Sequence, residues 1–393
     1  MLTNRRTLIT ILLILVLSFA ASSSFAANDF AREYPVLYKS PRAMGMGGAY
    51  TAIGGRNDAL FYNPATLINI PQDKGWEVDL LNVSLDAGKN SVNFVKDLKD
   101  ATDVGDLDHD GDTGDDQAKA VNDVIAKYRG ENLYLRVADF SAIGKSFDSF
   151  AFAAGGLGSV QVNATPHEGF GSQGLLELNA DVTYGAIGGF SIPFNERFSA
   201  GLTAKMLQRQ SIHHDFTAQE IVEKQDNLGD YIQDDLRKKG SAFGFDVGML
   251  WKIEPESYWR PAVGLSVLNI GDLDFGDAGK IPMTVNVGVS ANPRIPFFRS
   301  LILGLDYVDV LNNFDQDKDK MKRLRYGAEL QLFDVWPAEV SVRVGMYEGY
   351  PTFGADVRLL TFLVSYTLYS EEVGAYAGQD KDTRQLLTFN FGW

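Results

Sequence analysis

Phe243-Gly244-Phe245-Asp246-Val247-Gly248-Met249-Leu250-Trp251 sets Phe, Phe, Val, Met and Trp at every second position, with Gly, Asp, Gly and Leu between them. Side chains of an extended strand point alternately to opposite faces, so this stretch carries one bulky apolar face and one small or charged face. The same period of two returns around Val285-Val287-Val289, Leu324-Tyr326-Ala328-Leu330-Leu332 and Leu387-Phe389-Phe391-Trp393. Runs of about 9–13 residues match what a tilted strand needs to cross hydrocarbon.

Working outward, such runs mark strands near 76–86, 131–144, 147–162, 173–192, 196–212, 240–254, 259–270, 281–292, 299–310, 321–333, 337–347, 351–359, 361–370 and 384–393. About fourteen strands, an even number, suit a closed bacterial barrel. A sandwich would alternate too, so the connections decide. The odd ones are long (87–130, 163–172, 213–239, 271–280, 311–320, 371–383, with the short Glu348-Gly349-Tyr350 turn as the exception), and the even ones are tight. Long outer loops and short periplasmic turns belong to an outer-membrane barrel. All five Trp fall at the short-turn end (Trp76, Trp251, Trp259, Trp336, Trp393), as an interfacial belt requires, and Tyr347, Tyr350 and Tyr369 are expected in the outer girdle. The fold class expected is therefore all-β: a transmembrane antiparallel barrel with an N-terminal hatch and helical insertions in the extracellular loops.

Composition agrees. The 393 residues are 45% hydrophobic and 12% aromatic, with 39 Gly, no Cys and a net charge of −15; the mean hydropathy is −0.11. Missing Cys removes thiolate metal sites, cysteine nucleophiles and disulfides. The acidic balance argues against nucleic acid, whose phosphates need clustered Lys and Arg. Arg5 and Arg6, the apolar run Leu8–Ala21 and Ser24-Phe25-Ala26 read as a signal peptide over 1–26. That apolar run is shorter than the ~20 residues of a spanning helix. A hatch over 27–75 and the barrel over 76–393 complete the expected organisation, located in the outer membrane of a Gram-negative bacterium. The partners implied are outer-membrane lipid and lipopolysaccharide.

The hatch reads Arg42-Ala43-Met44-Gly45-Met46-Gly47-Gly48-Ala49-Tyr50, then Asn57-Asp58-Ala59-Leu60-Phe61-Tyr62-Asn63-Pro64-Ala65-Thr66-Leu67. Small residues let such a backbone pack inside a lumen, where Arg42, Arg56 and Asp58 can pair with inward strand charges. Asp246, Asp306, Glu329, Arg343, Asp356 and Arg358 read as those partners. The glycines lack the spacing and strand context of a phosphate-binding loop. These two stretches resemble the N-terminal signature of FadL-like outer-membrane barrels, with Asn63-Pro64-Ala65 as the hatch motif. That superfamily includes long-chain fatty-acid and aromatic-hydrocarbon transporters, the secretion protein PorV and outer-membrane proteins with a TraF-like name. Arg325-Tyr326-Gly327-Ala328-Glu329, Arg343-Val344-Gly345-Met346, Gly349–Gly354 and Glu371–Tyr376 are more similar to the TraF-named and PorV-like branch. The resemblance implies fourteen strands around a hatch and the handling of a hydrophobic ligand. The terminal Phe389-x-Phe391-x-Trp393 resembles the signal read by the barrel assembly machinery.

Residues 117–129 put Ala118, Val121, Val124, Ile125 and Tyr128 on one helical face, and 217–238 do so less cleanly; these faces read either as a ligand groove or as a cap over the mouth. Asp106, Asp108, Asp110 and Asp112 have the spacing of half a Ca²⁺ loop, but position twelve is Gln117, so a Ca²⁺ site and a solvated acidic loop both stand. Asp315, Asp317 and Asp319 repeat the spacing without the turn glycine. The adjacent pair His213-His214 cannot face one metal from a regular strand. No catalytic residues and no cofactor beyond that Ca²⁺ are expected. Two functions follow: binding or passage of hydrophobic small molecules without chemistry, or surface assembly and secretion through protein contacts.

Overall fold

The computed structural model describes residues 33–103, 113–168, 174–224, 236–314, 319–335 and 337–393. The expected signal peptide, the first residues of the hatch and the acidic loop Asp106–Asp112 lie outside them, as do Asp315, Asp317 and Trp336.

Among the described residues fourteen antiparallel strands close a barrel, each paired with its neighbours in the chain. The first half holds β1 (Glu77–Gly88), β2 (Leu133–Ser146), β3 (Ala151–Glu168), β4 (Gly174–Pro193), β5 (Phe198–Thr217), β6 (Lys238–Lys252) and β7 (Ala262–Leu268). A short ribbon of β8 (Leu273–Asp274) and β9 (Lys280–Ile281) then leaves the wall. The second half holds β10 (Thr284–Ala291), β11 (Ser300–Tyr307), β12 (Leu324–Val335), β13 (Ala338–Tyr347), β14 (Tyr350–Leu359), β15 (Phe362–Glu372) and β16 (Lys381–Gly392). β16 pairs back to β1, and Trp393 and Val78 exchange both backbone hydrogen bonds, 3.0 and 2.8 Å, at the seam.

Every strand expected from the alternation is present. The difference lies in length. β3 and β5 run to residues 168 and 217, five to six residues beyond the expected ends. A strand needs about 10 residues to span the bilayer, so the upper parts of the 18-residue β3 and the 20-residue β4 and β5 rise above it.

Phe243, Phe245, Trp251, Val289, Leu305, Tyr326, Phe353, Val357, Phe362 and Phe389 are all exposed on the outer face. Burying such residues in lipid rather than water is the driving force for this arrangement. Trp76, Trp251, Trp259 and Trp393 are exposed at the short-turn end, with Phe147, Phe150 and Phe152 stacked among them. The expected outer tyrosine girdle is not found. Tyr347, Tyr350 and Tyr369 are 4%, 9% and 0% exposed and point inward, where their hydroxyls donate to Glu371, Glu372 and Asp86. A phenol beside a lumenal carboxylate gains a charge-assisted hydrogen bond that lipid cannot offer.

The interior is filled. Leu37, Tyr38, Leu60, Phe61, Leu67 and Ile70 of the hatch pack with inward Phe140, Leu157, Ile187 and Leu207, and with Leu273, Phe275 and Ile281 of the ribbon loop. The Phe61 and Phe140 rings meet edge to face at 4.7 Å. Bare wall admits the hatch backbone elsewhere: Gly304, Gly327 and Gly345 lie side by side across β11–β13. A methyl group at Gly345 would come within 2.4 Å of the Gly47 nitrogen. Gly47 itself has φ +67, a left-handed conformation that suits glycine.

Candidate functional site: the plugged lumen

Three sets of contacts lock the hatch. At the short-turn end, Asn63 caps a 3-10 turn: its Oδ1 accepts from Ala65 N at 3.0 Å, and its Nδ2 donates to the carbonyls of Thr51 (2.7 Å) and Met249 (3.1 Å). Ser191 and Ser199 donate from the wall to the Ala65 carbonyl. Pro64 starts the turn where a missing N–H costs nothing. The Asn63-Pro64-Ala65 motif thus docks the plug onto β4–β6.

The second set is ionic. Arg42 pairs with Glu329 at 2.8 Å, Glu329 with Arg343 at 2.6 Å, and Arg343 with Asp356 at 2.6 Å, while Arg56 reaches Asp356 and Glu339 at 3.7 and 3.6 Å. Asp306 accepts from the Tyr50 and Thr51 nitrogens at 2.7 Å each. Arg358 faces Glu339 at 3.7 Å. Asp58, by contrast, finds no strand cation among the described residues; it accepts from Ser40 and Tyr50 within the hatch. Asp246 pairs with Lys205 at 2.8 Å and accepts from Asn269 N at 2.7 Å, which pins the ribbon loop inside the barrel.

The third set fixes the first described residues of the hatch. Glu33 receives a two-pronged contact from Arg384 (2.9 and 3.1 Å) and one from Lys39 (2.8 Å), and Lys39 also reaches Glu371 at 3.1 Å. Arg384 stacks 3.4 Å over the Tyr134 ring and is fully buried. Burial alone would raise the Glu33 pKa, but the charges of Arg384 and Lys39 reverse the sign and hold it at about 2. Burial would lower Lys39, and Glu33 with Glu371 keeps it above its ordinary value instead.

On the long-loop side of this lock lies a cavity of about 480 Å³ with two unlike faces. Tyr34, Val36, Leu37, Phe314 and Val373, from the hatch and the outer loops, supply an apolar side. The extended tops of β3–β5 supply the other, with Ser159, Gln161, Asn163, Glu177, Asn179, Asp181, Thr183, Arg209, Ser211 and His213. Arg136, also in the wall, is buried; its Nε donates to Ser159 at 3.0 Å, and its Nη1 has no hydrogen-bond partner among the described residues. Asn163 Oδ1 is likewise buried and unpaired. The expected strands already held most of this wall, but sequence reading did not single it out as a site and ended β3 and β5 before Asn163 and His213; the alternation of Gln161, Asn163, Thr165 and His167 was the available signal.

The loop helices Ser91–Thr102 and Thr113–Lys127 pack on each other and against the outward face of the extended strand tops. Val121, Ile125 and Tyr128 are buried with Phe94, Leu133, Leu176, Phe216 and Ile221, and Val124 packs against the same cluster. Their apolar face is occupied by this packing in the present conformation. At the opposite end Phe389 and Trp393 are exposed toward lipid, and Phe391 meets Phe362 at 5.2 Å on the closing strand.

Residues 60–281, more than half of the chain, match the family described as the F plasmid transfer operon TraF protein. In fold, the chain is similar to a TodX monoaromatic hydrocarbon channel carrying the deltaS2S3 mutation, at a TM-score of 0.54 and 11% identity over 90% of this chain and 99% of that one. It is also similar to the Pseudomonas putida toluene transporter TodX, at a TM-score of 0.54 and 10% identity over 92% of this chain and all of that one. No curated protein sequence matches. With its apolar exterior, closed fourteen-strand wall and N-terminal plug, the chain belongs to the F plasmid transfer operon TraF protein family and is a Gram-negative outer-membrane β-barrel similar in fold to the TodX channels.

Proposed function

We propose that this barrel binds a small amphipathic molecule in the cavity above the hatch and passes it inward, without chemistry, when the plug shifts. The cavity supports this most directly: 480 Å³ falls in the range of small-molecule sites. Its apolar side fits a hydrocarbon body, in keeping with the expected hydrophobic cargo and with the monoaromatic hydrocarbons of the TodX channels. The β3–β5 side and the unpaired Arg136 Nη1 favour a molecule that also carries a hydroxyl or carbonyl, because desolvating those wall groups without a partner costs roughly 1–3 kcal/mol each.

Calorimetric titration of the purified barrel with p-cresol and with toluene tests the reading, since the two differ by one hydroxyl. Saturable p-cresol binding at least tenfold tighter than toluene is expected, with the difference lost in Arg136→Met. Equal affinities would overturn it. An empty lumen together with a stable protein partner in mild detergent would instead favour the assembly or secretion role.

A further inference from the structure

His167 of β3, Glu177 of β4 and Asp215 of β5 converge on the inward face of the barrel's upper rim, their ligand atoms all within 4.8 Å of one another. We infer that this trio is a binding site for a divalent transition-metal ion such as Zn²⁺ or Co²⁺.

Register brings them together. Glu177 stands opposite Thr165 on β3 and opposite Asp215 on β5, and His167 shares the face of Thr165 two residues further on. Like charges directly across a strand pair are destabilising, and here nothing offsets them: among the described residues neither Glu177 nor Asp215 pairs with a Lys or Arg. The His167 imidazole and the Asp215 carboxylate also make no hydrogen bond there. A cation held between them would supply the missing charge. An imidazole in the set selects a transition ion over Ca²⁺, which takes oxygen ligands. A tetrahedral ion with bonds of about 2.1 Å keeps its ligand atoms roughly 3.4 Å apart, so small side-chain rotations close the site.

The support around it is ordered. Asn179 Nδ2 donates to Glu177 Oε1 at 3.1 Å, Asn179 Oδ1 contacts His213 Nδ1, and the Ser211 hydroxyl lies between His213 (3.3 Å) and Asp181 (2.7 Å). Such outer partners orient metal-binding carboxylates. Three protein donors leave at least one coordination position open, and Glu177 belongs to the cavity wall as well, so the trio adjoins the cavity.

Titration of the untagged barrel in detergent with Co²⁺, with no organic ligand present, tests the site independently of the proposed cargo. One saturable visible absorption band, displaced by Zn²⁺, is expected; His167→Ala and Asp215→Asn should weaken it at least tenfold, and Asp108→Asn should not change it. Affinity unchanged in His167→Ala, or no band at millimolar Co²⁺, would overturn the site. X-ray absorption of the Zn²⁺-loaded wild type tests the site without any variant: one imidazole with oxygen ligands supports it, and an all-oxygen shell contradicts it.

Discussion

Glu33 shows how a single side chain ties the plug to the wall. Its carboxylate is held by Arg384 and Lys39 in a buried network that also reaches Glu371 and Asp382. The folded pKa of about 2 lies below the ordinary value of 4.5, so this group stabilises the fold above pH 4.5, and the contribution is lost as pH falls toward 2. Glu33→Gln removes the acceptor from two buried cations and should cost about 3 kcal/mol near neutral pH. Thermal unfolding in detergent from pH 7 to pH 2 should show the gap between wild type and variant closing on the acid side; a gap constant with pH would contradict the assignment. The strand partners of Arg42 and Arg56 were legible in the sequence as inward charges on alternating strands. Glu33 and Lys39 were not, because nothing in their local pattern announces partners more than 300 residues away.

At the scale of elements, the alternation located all fourteen strands, because a period of two with one lipid face is a strong signal. It misplaced Tyr347, Tyr350 and Tyr369, since a tyrosine suits both an interface and a lumenal carboxylate, and only the register tells them apart. It also ended β3 and β5 early: above the bilayer the outer face no longer needs to be apolar, so the contrast fades while the ladder continues. His167 and Asp215, which converge with Glu177 of β4, lie in that hidden part. Hatch docking is likewise an element property. Gly248 of β6 faces Asn63 so closely that a Cβ would sit 1.9 Å from Asn63 Oδ1. Gly248→Val should displace the Asn63-Pro64-Ala65 turn and raise single-channel conductance in planar bilayers several-fold. Unchanged conductance in a folded variant would show that this contact does not hold the plug.

For the whole molecule, everything depends on which face of the wall meets lipid. β14 is a clean test bed: Thr352, Gly354 and Asp356 are buried toward the lumen, while Phe353, Ala355 and Val357 are exposed outward. The chain has no Cys, so single spin labels can be placed without background. The deciding measurement is the collision accessibility of labels at 352–357 in liposomes. A lipid-facing wall gives a period of two, with 353, 355 and 357 open to dissolved oxygen and closed to a water-soluble nickel chelate, and the even positions protected from both. Accessibility without that alternation, or odd positions open to the chelate, would contradict a lipid-facing barrel.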